Sequence, residues 1–255
     1  MKRSAFTMLE LVFVIVVIGI LSAIMIPRFD RDSLSEAAIQ LASHIRYAQH
    51  LAMVDDKYVP SPAMSPQVSS TSKTQEAQYW YLGRWQVKFS RAKGTQSYSI
   101  MSDSTKSSYD GNPNADLASY SEVAQDPLDK SKYLIGVSHS SFDSENKEHI
   151  NDMLDLGKSY GINGVSISGG DSGSSARRII FDHMGRPYRG DTNLGNSSRI
   201  QNSTDKLAQT NITVKLCKES CSTPLNSINN KNERLISISP ETGYVKVYFD
   251  VGESA

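Results

Sequence analysis

The sequence predicts an α+β chain in which one long N-terminal helix, membrane-spanning in its first half and amphipathic in its second, packs on an antiparallel β-sheet. Three observations predict it. From Phe6 to Ile26 only Thr7, Glu10 and Ser22 carry polar side chains. From about Ser33 to Val54, Leu34, Ala38, Leu41, Ile45, Ala48 and Ala52 recur at alternating spacings of four and three, an apolar stripe along one helix face. From Arg84 onward the apolar pattern changes to alternation, the period of strands.

At the N-terminus, a helix over Phe6–Ile26 rises about 31 Å, the thickness of a bilayer's hydrocarbon core. Lys2 and Arg3 precede it, so the positive-inside bias keeps the N-terminus cytoplasmic and sends the body outward. An ordinary secretory signal requires a small-x-small cleavage site after its apolar core, and Ile20-Leu21-Ser22 and Leu21-Ser22-Ala23 fit that rule poorly. A plain anchor does not need Glu10, since a charge deep in the bilayer costs about 2.5–3.5 kcal/mol. Glu10 is therefore expected to have a partner.

Pro27 interrupts the helix before the amphipathic half. His44 and His50 lie off the apolar stripe and read as solvated. Residues 60–78, rich in Ser, Thr, Pro and Gln, read as a loop. Trp85, Val87 and Phe89 alternate with polar residues and pair by pattern with Tyr98-Ser99-Ile100, a hairpin. A long loop over 103–132 precedes a strand near Tyr133–Ser138. Further strands are expected at Arg178–Asp182, at Ile212–Leu216, and as a hairpin of Leu235–Ser239 with Tyr244–Phe249 across Pro240-Glu241-Thr242-Gly243. The Asn- and Ser-rich stretch 192–204 reads as a connection.

The 27 basic residues balance the 27 acidic ones, so no electrostatic case for nucleic acid arises. Cys217 and Cys221, the only cysteines, lie four apart and are expected to form a small disulfide loop in an exported domain. No histidine lies near them in sequence to complete a zinc site.

Gly170-Asp171-Ser172-Gly173 matches the tetrapeptide around a serine-protease nucleophile, but no recognisable histidine motif accompanies it, and residues 169–175 read as a loop of small residues. Asp110, Asn112, Asn114 and Asp116 place oxygens at alternate positions, like half a calcium loop. Ala115 stands where the sharp turn needs glycine, Pro113 stiffens the middle and Ser121 stands where the closing acid belongs, so a solvated turn is expected there. His183 reads as a turn residue, and Tyr79, Trp80, Tyr81 and Trp85 read as core aromatics. Neither a catalytic constellation nor a metal or cofactor motif is recognised, and the chain is expected not to be an enzyme.

The run Ala5-Phe6-Thr7-Met8-Leu9-Glu10-Leu11, followed by the apolar helix and Pro27, resembles the N-terminal signal of type IV pilins and type II secretion pseudopilins. The resemblance implies that a prepilin peptidase cuts between Ala5 and Phe6 and N-methylates Phe6. The family usually has Gly where Ala5 stands. It also implies a docking role for Glu10, whose carboxylate would neutralise the new amine at Phe6 of a neighbouring subunit. Leu41–Met53, Trp85–Phe89, Ile179–Tyr188 and Ile236–Tyr248 are similar to corresponding stretches of the H-type minor pseudopilins and their minor-pilin relatives.

Membership of this group implies a pilin-like fold divided into a leader (1–5), a transmembrane helix (6–27), an amphipathic helix (28–55) and a periplasmic β-rich domain (56–255). The expected location is the inner membrane, single-pass, with assembly into a pseudopilus for protein secretion. Implied partners are the prepilin peptidase, other pseudopilin or pilin subunits, the inner-membrane assembly platform and membrane lipid. A minor type IV pilin, serving pilus assembly, adhesion, twitching or DNA uptake, shares the same signal. A membrane-tethered enzyme or sensor is the reading from another class, and it requires a catalytic constellation in the exported domain.

Overall fold

The computed structural model describes residues 7–25, 32–58, 79–90, 94–103, 122–136, 147–170, 177–190 and 202–255. They fall in two compact units, Met1–Ser33 and Leu34–Ala255.

The first unit contains helix α1, Met8–Met25. Its 18 residues rise about 27 Å. Among the described residues no helix is long and apolar enough to cross a membrane. This corrects two expectations, the membrane-spanning half of the helix and the single-pass inner-membrane location. The apolar composition runs from Phe6 to Ile26, but the described helix is shorter than the apolar run, and Phe6, Ile26 and the expected break at Pro27 lie outside the described residues.

The second unit is organised around helix α2, Ser33–Val54, which coincides with the predicted amphipathic stretch. Its buried residues include the whole expected stripe and add Ala37 and Ala42, so the packed face is broader and rich in alanine. The small side chains bring the helix backbone close to the layer it covers. That layer is two antiparallel sheets where the sequence predicts one, a further correction to the expected fold.

The first sheet has the order β2-β1-β4-β5, built from β1 (Gln86–Ser90), β2 (Ser97–Met101), β4 (Arg178–Phe181) and β5 (Pro187–Tyr188). The second has the order β3-β6-β7-β8, built from β3 (Gly164–Gly169), β6 (Ile212–Cys217), β7 (Glu233–Ile238) and β8 (Val245–Tyr248). Both expected hairpins form: Phe89 faces Tyr98 in the first and Ile236 faces Val247 in the second. One core joins α2 to Val87, Phe89, Tyr98 and Ile100 of the first sheet and to Val165, Val214, Leu216 and Ile236 of the second.

Strands β3 and β5 and the short helix α3 (Leu156–Tyr160) are not anticipated by the sequence pattern. Asp155 caps α3 by accepting from the Lys158 amide at 3.0 Å, and Gly161 ends it at φ 70°. The strand expected over 133–138 is reduced to isolated bridges at Tyr133 and Ile135; residues 137 and 138 lie outside the described residues.

Two devices hold the sheets together. Gln49 of α2 donates to Gly185 O (2.9 Å) and Thr242 O (2.8 Å), tying the β4–β5 turn to the β7–β8 turn. Gly243, at φ 64°, sits so close that an added Cβ would collide with Gly185 O. At the other side, β3 is an edge strand whose alternate carbonyls face one way. Arg189, just past β5, donates to Ile167 O (2.8 Å) and Gly169 O (2.6 Å). Arg177, just before β4, reaches Val165 O at 3.4 Å and Gln96 Oε1 at 3.0 Å. Arginines of one sheet thus occupy the hydrogen-bonding edge of the other.

Candidate functional site

Glu10 lies in the first turn of α1, where a carboxylate favourably meets the helix dipole. Its amide donates to Thr7 O (3.1 Å) and Thr7 Oγ1 (3.3 Å), so Thr7 is the N-cap. The sequence reading missed this role, although Thr7-x-x-Glu10 is the spacing of a capping box. Every described side chain from Thr7 to Ser22 is exposed, including Leu9 at 83% and Phe13 at 69%. The result is an apolar rod with one acid near its start. Ala5 and Phe6, the expected cleavage and methylation positions, lie outside the described residues.

In the second unit Cys217 and Cys221 form a disulfide, as the spacing led us to expect. Beneath it lies an ion pair that the sequence reading missed. Lys215 Nζ meets Glu233 Oε2 at 2.9 Å with both side chains buried. Lys215 also donates to Ser222 O (2.8 Å) and Pro224 O (3.3 Å). Glu233 accepts from the Ser222 amide (2.9 Å), the Ser222 hydroxyl (2.5 Å) and the Asn229 amide (2.9 Å). Burial opposes ionisation of Glu233, but hydrogen bonds from Ser222, Lys215 and Asn229 outweigh it and hold the carboxyl at about 2, well below its ordinary 4.5. The pair therefore anchors the loop after the disulfide. The C-terminal tail closes on the same loop, with Ile228 N donating to Glu253 O and Ala255 N to Asn226 O.

Between this loop and the end of β3 runs an open groove of about 560 Å³, lined by Ser168, Thr210, Asn211, Thr213 and Asn226 among others. Among the described residues its lining side chains are hydroxyls, amides and the apolar Leu225 and Ala255, and none is ionisable. A second cleft lies beside Asp55, Lys57, Trp80, Arg84, Trp85 and His183 and is too narrow to admit water. The Arg84 guanidinium stacks on Trp80 (5.0 Å) and Tyr188 (4.7 Å). Asp55 accepts from Trp85 Nε1 at 2.8 Å. Tyr81 and Trp85 are buried and Tyr79 and Trp80 half-buried, so the aromatic cluster packs the fold as expected.

His183 is exposed in the β4–β5 turn. The turn is shaped by buried Asp182, which accepts from the amides of Met184 (3.0 Å) and Arg186 (2.9 Å) and from Arg186 Nε (2.8 Å). His50 is exposed as expected; His44 is half-buried and bonded to Tyr98, which corrects its solvated reading. Asp171, Ser172 and Gly173, and the whole stretch 110–116, lie outside the described residues. Among the described residues no group of three or more His, Cys, Asp or Glu side chains is arranged to hold a metal ion.

Compared with protein-family models, curated proteins and solved structures, the chain finds no match. Its function is therefore argued from the N-terminal motif and from the geometry of its own residues.

Proposed function

We propose that the chain is a minor pseudopilin of a type II secretion system, cut between Ala5 and Phe6 by a prepilin peptidase and methylated at Phe6. It then joins other pseudopilin subunits on the assembly platform to build the filament that moves secreted proteins. The observation that carries this reading is α1: the side chains from Thr7 to Ser22 stand exposed, almost all apolar, with Glu10 as the lone acid. An apolar surface of that extent marks a place where other protein packs. Helices of like subunits supply that packing, and each Glu10 pairs with the amine that cleavage creates on a neighbour's Phe6. The role is mechanical rather than catalytic.

Glu10→Ala tests the reading. The variant keeps the Thr7 cap and all apolar positions of α1, so the subunit should accumulate at wild-type level yet lose most of its incorporation into filaments, measured by pull-down with a tagged major subunit. Incorporation equal to wild type would contradict the pairing role.

A further inference from the structure

His44 belongs to a hydrogen-bonded chain whose direction is set by a backbone carbonyl. Gln40 Nε2 donates to Met153 O at 2.9 Å, which fixes the orientation of its amide. The second hydrogen of that nitrogen goes to the Tyr98 hydroxyl oxygen at 3.0 Å, and Gln40 Oε1 accepts from the Tyr160 hydroxyl. With its oxygen already accepting, the Tyr98 hydroxyl has its own proton to give, and the acceptor at 2.7 Å is His44 Nδ1. His44 is therefore neutral, with its proton on Nε2.

We propose that this chain of bonds is a pH-responsive latch: protonating His44 removes the acceptor of the Tyr98 proton and loosens the tie from α2 to β2 and α3. An imidazolium places an N–H against an O–H. The Tyr98 oxygen would then have to accept from both His44 and Gln40, while its own proton is left without an acceptor in a site that is completely buried. Tyr98 cannot escape by ionising, because burial raises its pKa far above the ordinary range.

The charged and titratable groups around His44 come from several elements. Burial lowers its pKa, and the Asp126 carboxylate opposes that from the segment beside β2. Asp126 is itself occupied, accepting from the Leu128 amide (2.8 Å) and Asn151 Nδ2 (2.6 Å). Tyr47 on the same helix donates to Gln125 O at 3.3 Å, and Tyr160 bonds to Gln40. The net direction is downward, so the folded state resists a proton that the unfolded chain accepts near 6.5. Stability from His44 is present above that pH and is lost as the pH falls below it.

The test is nitrogen-15 NMR of histidine-labelled full chain. At neutral pH His44 should show an unprotonated Nδ1, and it should titrate below the ordinary 6.5. Tyr98→Phe, which keeps the ring and removes the hydroxyl, should move the His44 midpoint up toward the ordinary 6.5. His44→Gln should melt with a smaller drop between pH 7.5 and 5.5 than wild type. A proton on Nδ1, a His44 midpoint at or above 6.5, or equal melting drops in wild type and His44→Gln would overturn the latch.

Discussion

Lys215→Met is expected to destabilise the second unit by about 3–5 kcal/mol, the range for removing one partner of a buried ion pair. The methionine keeps much of the apolar stem but leaves Glu233 charged in a site that is 1% exposed. It also removes the donor to Ser222 O and Pro224 O, which pins the start of the loop after the disulfide. The double variant Lys215→Met/Glu233→Gln should recover a good part of the loss, because the uncompensated charge rather than the missing attraction is the main penalty.

The wild-type pair has a defined acid limb. Glu233, held at about 2, stabilises the fold above 4.5 and loses that contribution as the pH falls from about 4.5 towards 2. A chemical-denaturation midpoint at pH 7 checks the first statement. A midpoint unchanged from wild type would mean that the loop is held without the pair.

The second large effect is expected at Arg189→Ala, about 2–4 kcal/mol from leaving two carbonyls without their donor. Ile167 O and Gly169 O both depend on this guanidinium, and Arg189 is itself buried. Arg189→Lys should not restore the wild type, because a single ammonium cannot reproduce the fork that spans two carbonyls of one edge. The vacated edge of β3 is also a template for another strand. Loss of stability should therefore come with a concentration-dependent rise in association, read by light scattering beside a denaturation curve.

The parts of this fold that were legible in the sequence are those with strong periods. Helix α2 spans Ser33–Val54 because leucine, isoleucine and alanine recur at helical spacing, and the β1–β2 and β7–β8 hairpins arise from alternation. Strand β3 was hidden because Gly164-Val165-Ser166-Ile167-Ser168-Gly169 is short, serine-rich and flanked by glycines. Lys215 sits in the alternating run Ile212–Cys217, where a lysine reads as a solvent-facing position; the loop folded over that face buries it instead.

Arg177 and Arg189 were equally opaque, since their carbonyl partners lie on β3, a strand of the other sheet that the pattern itself hides. The membrane expectation failed for a different reason. Composition marks an apolar run from Phe6 to Ile26, whereas among the described residues no helix is long and apolar enough to cross a membrane. At the candidate assembly segment, Glu10 was legible from its isolation among apolar residues. Its cap at Thr7 has a known spacing that the reading passed over.

The most direct measurement of the proposed role is mass spectrometry of the N-terminus of the protein recovered from cells with and without an active prepilin peptidase. A first residue of N-methylated Phe6, present only when the peptidase is active, is the result expected of a pseudopilin. A chain that starts at Met1 under both conditions, or one cleaved beyond Ile20, would contradict it.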